Sequence, residues 1–217
     1  MAKDFAWRQP PTEESVSRLV NFTDAVAGIA VTLLILPLLE IEPPEDGQTM
    51  WSVMSANSGL ILAFLLSFVI TLGYWRRHHR LMDGLQSFTP LLVAFNGAWL
   101  LALVFLQFPS EFLGRVGPEG GILTVYAGTL AAITWIGVVM AIYLRSKPDL
   151  LPPERRVEDV QIRWAAITGG YLTLTALVGL VAPEVGLWGL LGLIPLGWLE
   201  SWQLARMPPP EGTPSAA

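Results

Sequence analysis

The sequence predicts an all-α integral membrane protein with six transmembrane helices and both termini in the cytoplasm, and three observations carry that prediction. Of the 217 residues, 53% are hydrophobic and only 14% are charged, too apolar a balance for a water-soluble domain. The apolar residues fall into six charge-free windows, 25–39, 47–75, 84–110, 120–144, 164–183 and 185–199. Lysine and arginine are divided unequally between the connecting segments. If the N-terminal arm, the segments after windows two and four and the C-terminal tail share one side, that side holds twelve of the 13 basic residues. Arg115 stands alone on the other, which places the basic side in the cytoplasm.

The elements follow in order. Residues 1–17 carry acids and two prolines and lack the basic-then-apolar order of a signal peptide, so they read as a cytoplasmic arm and the first span as retained. The first window, 25–39, reaches only about 22 Å at about 1.5 Å per residue, short of a hydrocarbon core of about 30 Å. The first helix must therefore extend back to Arg18, which draws Asp24 into the membrane or to its edge. Windows two to five each fit one crossing, and the sixth must extend past Glu200. Together they make residues 18–206 one six-helix domain. The segment 207–217, MPPPEGTPSAA, is proline-rich and polar and reads as a disordered tail.

Asp24 is the most informative single residue. An ionisable group at that depth costs a few kcal/mol on insertion scales and persists when it faces the protein interior with a partner. Arg18 and Asp24 lie about 120° apart on the helix wheel and about 9 Å apart along it, so they cannot pair with each other. Both are expected to find partners on other helices. Trp75 and His78, at the end of the second window, and Asn96, in the third, stand at matching depth with hydrogen-bonding groups. His79, beside the arginines, reads more simply as a solvated residue.

These residues bear a family resemblance. RLVNFTD, with Arg18, Phe22, Thr23 and Asp24, followed by GIAVTLLIL, resembles the signature first helix of the transmembrane protein 175 family, lysosomal potassium channels and their prokaryotic relatives. YWRRHHRL at the end of the second window, Asn96, and LQFPSEFLG at the outer end of the third agree with it. The likeness covers roughly the first 145 residues by motif and the last two spans by topology alone.

The resemblance implies a homotetrameric potassium-selective cation channel whose first helix lines a central pore, without the carbonyl filter of ordinary potassium channels. Large aliphatic side chains narrow the pore in that family, and by position they fall on Ile29, Leu33 and Leu36. The threonine bearing on selectivity falls on Thr32. Arg18, Phe22, Thr23, Asp24, Trp75, His78 and Asn96 would form the structural network that anchors the helix. The implied setting is a prokaryotic plasma membrane. The implied partners are the chain's own copies, lipid and permeant potassium; no cofactor, resident metal or nucleic acid is expected.

Helix geometry tests that transfer separately. At about 100° per residue, Leu33, Leu36 and Glu40 all fall within about 40° of Ile29, and Thr32 flanks them. Stacked copies would give aliphatic rings beneath Glu40 at the outer mouth, where Glu42, Glu45, Asp46, Glu111, Glu119 and Glu184 also collect and attract cations over about 8 Å at physiological salt. Arg18 falls on the same stripe and is expected to bend sideways to acceptors on other helices. Departures from the family pattern are Thr23 in place of serine, the small Ala27 and Gly28, and Pro37. Pro37 deletes a hydrogen bond to the Leu33 carbonyl and should kink the helix just above the constriction, widening its outer half.

Other classes fit less well. With no cysteine, thiolate chemistry is excluded, and the adjacent His78 and His79 point about 100° apart, unlike ligands spaced i, i+4. No catalytic triad or phosphate loop is present, so the chain does not read as an enzyme. A secondary transporter would show inverted repeats and interrupted helices, for which Gly169 and Gly170 in the fifth window are the nearest candidates. An accessory or scaffold protein would use Gly186, Gly189 and Gly192 as a packing face.

Overall fold

The computed structural model describes residues 11–155 and 157–205, and these form ten α-helices and two short 3-10 turns. The tail 207–217 and most of the N-terminal arm lie outside the described residues. Helix α1 spans Glu13–Leu33, starting within the segment read as an arm. Thr12 caps it by accepting a hydrogen bond from the Ser15 N–H at 3.3 Å, and Glu13 and Glu14 sit favourably at the positive end of its dipole.

Prolines divide three of the apolar stretches. A proline has no N–H for the carbonyl four residues earlier, and its ring crowds that carbonyl. Helix α1 stops at Leu33, four residues before Pro37, and α2 (Leu36–Leu39) begins with Pro37 in its first turn. Likewise α5 (Pro90–Phe105) stops four residues before Pro109, and α6 (Gln107–Val116) follows after one residue. Near the C-terminus α9 (Pro183–Leu190) gives way to α10 (Leu193–Ala205), whose third residue is Pro195. In the second window α3 (Met50–Ala56) carries a reciprocal Thr49–Ser52 capping box, and α4 (Ser58–Met82) is the long helix.

Among the described residues, five stretches are long and apolar enough to cross a membrane: Glu13–Leu39, Ser58–Met82, Pro90–Val116, Ile122–Ser146 and Asp159–Val181. The sixth window supplies only the shorter apolar stretch Pro183–Leu199, because Pro195 interrupts it and Glu200 ends it. Five long stretches and one short one therefore stand where six spans were expected, the first and last of them from shorter windows.

Helix α7 (Ile122–Ser146) is the core of the bundle. It packs against α5, α6 and α8 (Asp159–Val181) and buries Leu123, Tyr126, Leu130, Ile133 and Leu144. Its polar groups are paired, as a low-dielectric interior demands. The Tyr74 hydroxyl donates to the Leu130 carbonyl at 2.9 Å and lies 2.8 Å from the Thr134 hydroxyl. At the arginine-rich end, Arg155 pairs with Asp83 at 2.7 Å and Arg145 pairs with Asp159. Gly169 passes so close to Trp135 that an added Cβ would meet the indole at 2.9 Å.

Helix α1 lies against α4 and α5 through a face of small residues. Ala27 and Ala30 are fully or almost fully buried, which lets the backbones approach. Enlarging Ala27 to leucine overpacks this contact, so Ala27→Leu should destabilise the fold by about 1–3 kcal/mol. Reversible unfolding in detergent measures this as an earlier midpoint.

Candidate functional site

The site is built on α1, whose two faces differ in kind. Its inner face is anchored by a chain of polar contacts. The Trp75 indole N–H donates to Asp24 Oδ1 at 2.9 Å, and His79 Nδ1 lies 3.3 Å from Asp24 Oδ2. One turn of α4 thus supplies both partners, and the two rings lie 5.5 Å apart. Beside them the Asn96 amide of α5 donates to the Thr23 hydroxyl at 2.7 Å, and that hydroxyl donates to the Leu19 carbonyl at 2.9 Å. Thr23 and Asn96 are both 2% exposed, so these bonds form out of water, where an unmade one is expensive.

Several predicted residues fall differently. His78 does not reach Asp24. It is buried with its ring 3.9 Å from that of Trp99, and its Nε2 and the Asn96 Oδ1 have no hydrogen-bond partner among the described residues. His79, read as solvated, takes the place expected of His78, because i, i+4 spacing puts it on the same face as Trp75. That spacing was the signal available in the sequence.

Arg18 also departs from expectation. Its guanidinium sits 3.7 Å from Glu14 on its own helix, with both side chains 80% exposed, rather than on a neighbouring helix. Phe22 is 60% exposed and stands outside the anchor. The wheel explains both: Arg18 and Phe22 fall within about 20° of Ile29, so turning Thr23 and Asp24 inward turns these two out.

The outer face of α1 is an unpartnered stripe. Ile29 is 59% exposed, Leu36 48% and Leu33 37%, while Thr32 donates its hydroxyl to the Ile29 carbonyl at 2.8 Å and is exposed beside them. The break before Pro37 lies within this stripe, between Leu33 and Leu36. At its end Glu40 is not a bare carboxylate: Arg115 of α6 pairs with it and, at 2.8 Å, with Glu111. The lone basic residue of the acid-rich side thus offsets part of the charge expected at the mouth. Among the described residues no three His, Asp or Glu side chains converge as a metal site requires.

Several helices long and apolar enough to cross a membrane, joined by carboxylate and amide pairs between helices, define an integral multi-pass membrane protein. Its fold is that of a solved channel: the crystal structure of a lysosomal potassium-selective channel TMEM175 homolog from Chamaesiphon minutus superposes with a TM-score of 0.72 at 22% identity, over 87% of this chain and 99% of that one. Residues 18–106, less than half of this chain, match the family model described as endosomal/lysosomal potassium channel TMEM175. The chain is 33% identical over 132 residues to a potassium channel of Chamaesiphon minutus, 58% of this chain and 64% of that protein. To the endosomal/lysosomal proton channel TMEM175 of Homo sapiens it is 29% identical over 140 residues, 63% of this chain. The match spans only 27% of the human protein's length.

The family match ends at residue 106, where α5 breaks, and it contains every anchor contact described above. A double-mutant cycle of Thr23→Val and Asn96→Leu should give a coupling of about 1 kcal/mol in unfolding free energy, within the range of interhelical hydrogen bonds in membranes. The cycle of Thr23→Val with His78→Leu should give less.

Proposed function

We propose that the chain is a potassium-conducting cation channel in which several copies, four by the family resemblance, surround a central pore with the exposed face of α1. The observation that carries the reading is the stripe of Ile29, Leu33 and Leu36, left without partners in the protomer while the opposite face is fixed by polar contacts. Aliphatic rings of this kind resist wetting and gate an ion path, and Thr32 offers the nearby oxygen. In this reading α9 and α10 together form the sixth span, both termini lie in the cytoplasm of a prokaryotic plasma membrane, and the break before Pro37 widens the outer half of the pore.

A secondary transporter is the second reading, favoured by the interrupted α9–α10 stretch, since transporters bind at broken helices. It predicts flux coupled to a second solute. The channel reading predicts downhill flux alone.

Protein reconstituted in liposomes with a potassium gradient separates the two. Potassium should run downhill without a co-substrate, and Ile29→Asn should raise the flux several-fold by wetting the constriction. Cation flux absent from verified oligomers would overturn the proposal. Because Arg115 already holds Glu40, Glu40→Gln should change conduction less than Arg115→Gln, which releases two carboxylates and should raise cation flux most at low salt.

A further inference from the structure

At the arginine-rich end of the bundle the acids are unevenly shared. Arg145 and Arg155 are held by Asp159 and Asp83, and Arg18 lies against Glu14. Arg76 and Arg80 of α4 are exposed and have no carboxylate partner among the described residues. Their i, i+4 spacing puts them on one face of the helix. Upstream the same face carries Leu62, Leu65, Val69 and Leu72, all exposed. At about 100° per residue these four and the two arginines lie within about 60° of Val69, while the buried Ser67, Thr71 and His78 point the opposite way. Gly73 lies on the stripe just before the arginines, and an added Cβ there would meet nothing within 4 Å. The backbone is therefore open where apolar surface gives way to charge.

We propose that this face of α4 binds an anionic phospholipid, its phosphate between Arg76 and Arg80 and an acyl chain along Val69 and Leu65. Length and charge argue for that occupant. From Leu65 to Arg76 the helix rises about 16 Å, the depth of one leaflet in a hydrocarbon core of about 30 Å. Two guanidinium groups one turn apart can share a phosphate through charge-assisted hydrogen bonds, and their long stems reach from the edge of the apolar layer to the headgroups. A zwitterionic headgroup brings its own cation to the pair and gains less. Helix α8 supplies the contrast. Its Ile167 and Leu174 are exposed too, but the single Arg163 at their end follows Glu158 and Asp159 at the helix start, which offset its charge. The site lies apart from the exposed stripe of α1 and does not depend on the channel reading.

The test is photolabelling of the full chain in phosphatidylcholine nanodiscs doped with phosphatidylglycerol that carries a diazirine in one acyl chain. Phosphatidylcholine with the same diazirine chain is the matched probe, and labelling of α8 is the internal reference. Phosphatidylglycerol should label residues 62–73 about tenfold more than phosphatidylcholine does, and much of that preference should vanish near 1 M salt, where the screening length is about 3 Å. Arg76→Gln combined with Arg80→Gln should bring the anionic probe down to the phosphatidylcholine level without changing the labelling of α8. Lysine at both positions should keep most of the preference. The comparison of probes in the native chain needs no variant, so a misfolded variant does not remove the test. Equal labelling of α4 by the two probes, a preference that survives the double glutamine variant, or an equal preference on α8 would overturn the site. Labelling of α8 with none on α4 would assign the face to a contact with a second copy of the chain and overturn it as well.

Discussion

The rotation of α1 about its axis is the constraint on which the rest depends. A carboxylate drawn into the membrane must be paired, and Asp24 meets Trp75 and His79 in one orientation, the same one in which Thr23 meets Asn96. Helical periodicity then decides everything else on this helix. The small residues Ala27 and Ala30 turn inward and permit close packing, while Arg18, Phe22, Ile29 and Leu33 turn out. The exposed apolar stripe is thus a consequence of where the polar residues are satisfied. A stripe of isoleucine and leucine carries no orientation of its own in a membrane, where lipid is as apolar as protein.

The second determinant is the placement of prolines. Pro37, Pro109 and Pro195 each end a helix four or five residues earlier, and the first two breaks lie at the acid-rich end. There α2 and α6 border, with α4, a cleft of about 320 Å³. The exposed stripe and the cleft therefore share Leu33 and Leu36, which flank the break before Pro37.

Much of this was legible in the sequence, for identifiable reasons. Charge-free windows located the helices because the hydrocarbon core penalises every unpaired ion, and Asp24 announced an interhelical partner for the same reason. Trp75 was readable as that partner from its depth, whereas Asn96, expected beside it, bonds Thr23 instead. The choice of His79 over His78 was not readable in this way, because depth alone does not separate neighbouring residues and the i, i+4 relation to Trp75 had to be used. Arg18 misled because its charge suggested a distant partner, whereas a long exposed side chain is satisfied by Glu14 one turn away and by water. The bond between Arg115 and Glu40 joins residues 75 positions apart, a separation that no local pattern encodes. The Pro109 break was open to the same argument as the one at Pro37.

The central claim is that the exposed face of α1 faces the ion path and the anchored face does not. The chain has no cysteine, so single cysteines report without interference. In reconstituted protein, a thiol-reactive cation or Cd²⁺ should block potassium flux through Ile29→Cys and Leu33→Cys and leave Ala30→Cys and Thr23→Cys unaffected. Block confined to the Ala30 and Thr23 positions, or equal at all four, would contradict the account.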